Sequence, residues 1–129
     1  MTVMDHITRQ EVWDRVRFDP NGCDESLPVI YHWEFCEPGG ECHGYVGQAK
    51  YGSQRPKEAY AYNVSRLLNG EPYRPNKPDD WRRVHRIMAQ AVSKDWEITL
   101  SLVENCDEID LSRRERHWIA EKGCTLNNG

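Results

Sequence analysis

The stretch from Pro28 to Ala49 constrains the fold more than any other. Pro28 to Phe35 is apolar and β-branched at its start, then aromatic, and reads as a strand. Glu37-Pro38-Gly39-Gly40-Glu41 is a turn, and His43 to Ala49 is the return strand, so the pair predicts an antiparallel hairpin. Ser53 then caps a helix to about Leu68, with Pro56 in its first turn, where a missing N–H costs little, and Asn69-Gly70 as its stop. Residues 71–78 carry three prolines and form an extended loop. Asp79 or Asp80 caps the next helix, through about Ser93, with Trp81, Val84, Met88, Ala91 and Val92 at helical spacing. Trp96 to Val103 alternates as a third strand. Ser112 caps a last helix to about Lys122, ended by Gly123.

Ahead of the hairpin, Thr8-Arg9-Gln10-Glu11 is a capping box that opens a short helix to about Arg17, with Val12, Trp13 and Val16 on one face. Phe18 to Leu27 reads as loop. The expected fold class is α/β: a small three-stranded antiparallel sheet flanked by helices, with an N-terminal helical extension.

At 129 residues the chain is one domain with room for a single core. No apolar run approaches the roughly 18 residues of a membrane helix, so no membrane partner is expected. Met1 to Gln10 lacks the basic-then-apolar layout of a signal peptide, which places the chain in the cytoplasm. Five cysteines without CxxC spacing read most simply as free thiols in a reducing compartment. Cys36, Cys42 and His43 at the hairpin tip offer three zinc ligands, but no fourth has the usual paired spacing.

A net charge of −4 argues against indiscriminate affinity for nucleic acid. Basic residues nevertheless cluster. Arg82, Arg83, His85 and Arg86 on one predicted helix are candidates for contacts to a nucleic-acid backbone, with a plain solvated face as the other reading.

One ordered set of residues remains. Val29-Ile30-Tyr31 and Tyr45-Val46-Gly47 sit on the two hairpin strands. Arg55 falls in the first turn of the following helix, Glu115 lies in Arg114-Glu115-Arg116-His117-Trp118-Ile119, and Asn127 closes the chain. This order and spacing resemble the GIY-YIG nucleases, whose name records the two strings. The resemblance covers residues 28–129, whose predicted ββααβα order it matches, and leaves 1–27 as an extension.

The resemblance implies a metal-dependent endonuclease that hydrolyses phosphodiester bonds in DNA, leaving 5′-phosphate and 3′-hydroxyl ends. It implies that Tyr31 takes the proton of the attacking water. A free tyrosine has a pKa near ~10, so that role needs a neighbouring cation, and Lys50 is the nearest in sequence. Tyr45 would hydrogen-bond the phosphate or the water. Arg55 would grip the phosphoryl oxygens through two hydrogen bonds. Glu115 would be the sole protein ligand of one Mg²⁺ (or Mn²⁺), unless Ser112-Arg113-Arg114-Glu115 is simply a capping box that uses up the carboxylate. Asn127 would orient Tyr31 or a phosphate oxygen, or stabilise the terminal turn.

Two departures from the family pattern stand out. The first string begins with Val29 rather than Gly. Ala59 stands where family members carry His or Tyr, with Tyr60 and Tyr62 close by. A different class of function is therefore also expected as an alternative: a catalytically weak or inactive nucleic-acid-binding module on the same scaffold. With no added DNA-reading domain, specificity falls to the extension, the Pro-rich loop 71–78, or a homodimer. A monomer with one metal site would nick one strand.

Overall fold

A computed structural model describes residues 6–128. Residues 1–5 of the expected extension and Gly129 lie outside the described residues. The elements run α1 (Arg9–Trp13), β1 (Val16–Asp19), β2 (Val29–Cys36), β3 (Cys42–Ala49), α2 (Gln54–Leu68), α3 (Arg83–Lys94), β4 (Glu97–Asn105) and α4 (Leu111–Lys122), with 3-10 turns at Glu108–Asp110 and Leu126–Asn128. The strands form one sheet in the order β1-β4-β2-β3. β2 pairs antiparallel with both neighbours, and β1 pairs parallel with β4.

The α/β class holds, but the sheet is four-stranded and mixed rather than three-stranded and antiparallel. The added strand comes from the end of the expected first helix (Val16 and Arg17) and the start of the expected loop after it (Phe18 and Asp19). That helix opens on the expected capping box, in which Thr8 Oγ1 accepts from Glu11 N and Glu11 Oε1 accepts from Thr8 N. It stops at Trp13. Val16 and Phe18 then alternate with exposed Arg17 and Asp19, and the backbone pairs with Ile98 to Ser101. Packing of Val16 and Phe18 against the core outweighs the helical spacing of Val16 and the loop reading of Phe18, a tertiary effect on a four-residue strand that local pattern does not resolve.

Strand alternation divides the core in two. Val29, Trp33 and Phe35 of β2, with Ile98, Leu100 and Leu102 of β4, face Val12 of α1, Ala61 and Val64 of α2, and Val84, Met88 and Val92 of α3. On the other face Ile30 and Val46 meet Leu111 and Cys124, supported by Trp118 and Ile119 of α4. The second layer is smaller and partly polar: Glu104 accepts from Trp118 Nε1 at 3.0 Å and also from Arg114. At roughly 1.5–3 kcal/mol for each fully buried large apolar side chain, the first layer carries most of the hydrophobic stabilisation.

α3 differs from expectation in where it starts, and α2 in how its start is capped. α3 begins at Arg83, not at Asp79 or Asp80, because Arg86 donates back to the carbonyls of Trp81 and Asp79 and holds that backbone outside the helix. Ser53 occupies the N-cap of α2, but its hydroxyl donates to Glu25 Oε1 at 2.8 Å instead of capping.

The cysteine reading also changes. Cys36 and Cys42 face each other across the hairpin and are joined in a disulfide, so neither is a free thiol and neither sulfur is a thiolate for zinc. The hairpin register itself explains the pairing, since a five-residue turn puts the two directly opposite. Cys23, Cys106 and Cys124 are free. Among the described residues no helix is long and apolar enough to cross a membrane.

Candidate active site

The hairpin base opens into a cleft of about 540 Å³ lined on one side by Tyr31 of β2 and by Tyr45 and Gly47 of β3. Tyr31, Tyr45, Lys50, Arg55 and Glu115 all line it, although they come from two strands, a loop and two helices. Asn127 does not. Its amide is turned onto β3, accepting from Val46 N at 3.0 Å and donating to Val46 O at 2.7 Å. Of its two expected roles, the structure shows a tail-fastening one.

Tyr31 lies directly across the hairpin from Gly47, and its ring folds over that glycine. A Cβ at position 47 would sit 2.4 Å from the Tyr31 Cζ and hydroxyl oxygen. Glycine is therefore required there by the tyrosine's own side chain. The register between β2 and β3 is continuous at this point; the irregularity lies between β2 and β4, at Ile30/Tyr31.

The Tyr31 hydroxyl is 2.9 Å from that of Tyr60, with the rings edge-on at 5.9 Å. Tyr60, one step along α2 from Ala59, thus reaches the cleft wall, while Tyr62 turns outward. Tyr31 and Tyr60 are only 6% and 5% exposed. Burial pushes both hydroxyls well above their ordinary range and outweighs the Tyr31–Tyr60 hydrogen bond and the nearby Arg82, which favour ionised Tyr31. This opposes the role of Tyr31 as a phenolate base. The expected cation is also a different one: Lys50 pairs with Glu108 at 2.9 Å, and Arg82 is the charge that acts on Tyr31.

The basic candidates on α3 separate. Arg82 lines the cleft, donates to the Tyr45 hydroxyl and lies 5.2 Å over its ring. Arg83 reaches the Thr125 carbonyl at 3.4 Å, and Arg86 is spent on loop carbonyls, so neither lines the cleft. His85 does line it, but at 3% exposure it is a wall residue rather than a surface contact. Its Nδ1 is buried without a partner among the described residues. Burial and the Arg82 charge push its pKa down to about 4, so the imidazole is neutral at pH 7.

Glu115 does not reach back to its helix start. α4 begins two residues earlier than expected, with Asp110 rather than Ser112 at its N-cap, and the Glu115 carboxylate accepts from Gln48 Nε2 on β3. Gln48 also donates to Ser112 Oγ at 3.3 Å, which fixes the amide between strand and helix. Arg55 sits exposed in the first turn of α2 and makes no ion pair among the described residues. Tyr73 and Arg74 of the Pro-rich loop complete the opposite wall.

The cleft thus holds three arginines, Arg55, Arg74 and Arg82, and Lys50, whose charge is offset by Glu108, against one lining carboxylate, Glu115, on a chain whose net charge is −4. Such a concave positive field concentrates anions. A single carboxylate fits Mg²⁺ or Mn²⁺ as a ligand that leaves the ion's other positions to water and a substrate phosphate. Elsewhere Glu37, Glu41 and His43 cluster at the hairpin tip with ligand atoms within 4.8 Å of one another, away from the cleft.

Gln48, Tyr73 and Arg74 were not singled out from the sequence. The alternation of β3 carries a weak signal for Gln48, a polar residue beside Gly47. Nothing local marks Tyr73 and Arg74, which a Pro-rich loop delivers. No protein-family model matches the chain, and no curated protein or solved structure shows significant similarity to it.

Proposed function

We propose that this chain is a divalent-cation-dependent endonuclease of the GIY-YIG kind, hydrolysing phosphodiester bonds in nucleic acid, with DNA as the first substrate to test. One observation carries the reading: a tyrosine pair, an unpaired guanidinium and a lone carboxylate, far apart in sequence, share a cleft whose charge suits a phosphate.

Arg55 binds the non-bridging oxygens of the scissile phosphate and offsets the charge that grows on them as water adds. Arg82 holds the Tyr45 hydroxyl, which leaves that oxygen free to accept from the water or, by its own proton, to donate to phosphate. Tyr31 and Tyr60 act as neutral hydrogen-bonding groups that position the nucleophile, since burial disfavours their ionised forms. Glu115, steadied by Gln48, would hold the cation. When bound, that cation would supply the Lewis acidity that acidifies the attacking water, whose proton passes to solvent, and would stabilise the departing 3′ oxygen until solvent protonates it. The products carry 5′-phosphate and 3′-hydroxyl ends. One cleft cuts one strand, so a double-strand break requires a homodimer or two visits.

The test is incubation with supercoiled plasmid, single-stranded DNA and RNA in Mg²⁺ or Mn²⁺. Nicking is expected, and Glu115→Gln is expected to lower it by roughly 100-fold or more. Undiminished nicking by that variant overturns the cation role. The binding-module alternative is favoured by the burial that disfavours an ionised Tyr31, and saturable binding without cleavage in either metal would establish it.

A further inference from the structure

A second, shallower depression of about 410 Å³ continues from the cleft. The two share Tyr51, Arg55 and Ala59. Arg55, Ala59 and Tyr62 are spaced four and three residues apart along α2 and so fall on one helix face. Ala59 is the low point between the two hollows, because a methyl group leaves open what a longer side chain would close. The rims of the outer hollow are Tyr51, 74% exposed, and Tyr62, 51% exposed. Large apolar side chains left in water are few among the described residues: Leu27, Ile109 and these two aromatics. Both aromatics stand at the same groove.

Each ring has a cation against it. Lys50 Nζ is 5.4 Å from the Tyr51 centroid, and the Arg66 guanidinium is 5.6 Å from that of Tyr62. Arg9 and Arg55 add positive charge to the walls, and Glu58, hydrogen-bonded by Gln54 at 2.6 Å, is the one acid there. Flat aromatic faces interleaved with cations match a strand whose bases are free to stack and whose phosphates are close by. A duplex hides its base faces within its own stack, so it offers such a surface nothing beyond phosphates.

We infer that the Tyr51–Tyr62 groove is a stacking subsite for unpaired bases next to the scissile phosphate, which makes single-stranded DNA the preferred substrate class. The inference rests on the proposed nuclease reading. In it, the strand enters along the groove, crosses Ala59 and presents its phosphate to Arg55.

Fluorescence anisotropy in EDTA, where no cleavage occurs, tests it with a labelled single-stranded oligonucleotide and the duplex of the same sequence. The single strand is expected to bind about tenfold tighter. Tyr62→Ala should weaken single-strand binding by roughly tenfold and leave duplex binding unchanged, and Tyr51→Ala should weaken single-strand binding by a similar factor, while Tyr62→Phe keeps it, because stacking needs the ring and not the hydroxyl. Ala59→Leu, which plugs the passage, should weaken single-strand binding without removing either ring. Both tyrosines are exposed, so circular dichroism should show an intact fold in the alanine variants. Equal affinity for the two forms, or alanine variants that bind the single strand as tightly as the parent, overturns the subsite and leaves the nuclease reading standing. Absence of binding to either form, together with absence of cleavage in Mg²⁺ or Mn²⁺, overturns both.

Discussion

At the tip of the β2–β3 hairpin the contacts are mostly short-range in sequence. Cys36 bonds to Cys42, His43 lies 3.1 Å from Glu37, and the Glu37 and Glu41 backbones close the turn; the stacking of His43 on Trp96 is the longer tie. At the base of the same hairpin the contacts come from across the chain. Tyr31 meets Tyr60, Tyr45 meets Arg82, and Gln48 meets Glu115. The tip is a self-contained staple. The base is a junction at which α2, the residue capping α3, and α4 each deliver a polar group. Candidate chemistry sits at the junction because only there do groups of different type converge on open space. Cys36 and Cys42, read from the sequence as free thiols with zinc ligation as the alternative, belong to the staple.

The sharpest way to break this contrast is to place one methyl group at each end. Gly47→Ala puts a Cβ 2.4 Å from Tyr31 and must displace the ring. Cleavage should fall by roughly 100-fold or more, and stability by about 2 kcal/mol, as for an overpacked core. Gly40→Ala at the tip meets the Glu37 Cβ at 3.2 Å and should leave cleavage unchanged. Urea denaturation and a plasmid-nicking assay on both variants decide the matter. Equal losses would show that the tip and base are not distinct.

Acid should weaken the base through His85. Its folded pKa is about 4, below the ordinary value of about 6.5, so the unfolded chain takes up the proton first. The stability this buried neutral imidazole secures is complete above about pH 6.5 and is lost as pH falls toward 4, for about 2 kcal/mol by pH 4.5. His32, also held near 4 by burial with Lys122 adding, acts in the same direction. The drop between pH 7 and pH 4.5 should shrink by that amount in His85→Leu, measured by urea unfolding at the two pH values. An unchanged drop would remove His85 from the account.

The smallest effect belongs to the staple itself. Reduction of Cys36–Cys42, or the double change Cys36→Ser and Cys42→Ser, closes no long loop and should cost about 2 kcal/mol or less. Cleavage rates, compared with and without reductant, should be the same. A reductant-sensitive rate would tie the tip to the site and dissolve the distinction.

How far the sequence carried the fold follows from the range of each signal. The hairpin, α2 and α4 were legible because alternation, turn residues and caps act within a few positions. β1 was not, because Val16 and Phe18 are strand residues only by virtue of β4, some eighty positions away. In the site, the placement of Tyr31, Tyr45, Arg55 and Glu115 around one cleft matched the ordered spacing. The state of Tyr31 did not, since burial by Tyr60 and its neighbours depends on packing. Asn127 shows the opposite limit: an amide near the chain's end suits a phosphate or a backbone equally well, and only its position against Val46 separates the two.

That amide has a consequence beyond the site. β3 is an outer strand of the sheet, and a bare margin of this kind invites another chain to add itself as a further strand. Asn127 fills both outward hydrogen-bonding positions of Val46, at the middle of that margin, so an incoming strand finds the ladder interrupted there. Two copies of this protein would therefore pair less readily along this margin. A variant that loses the Asn127 side chain should be more prone to form fibrous, strand-added assemblies.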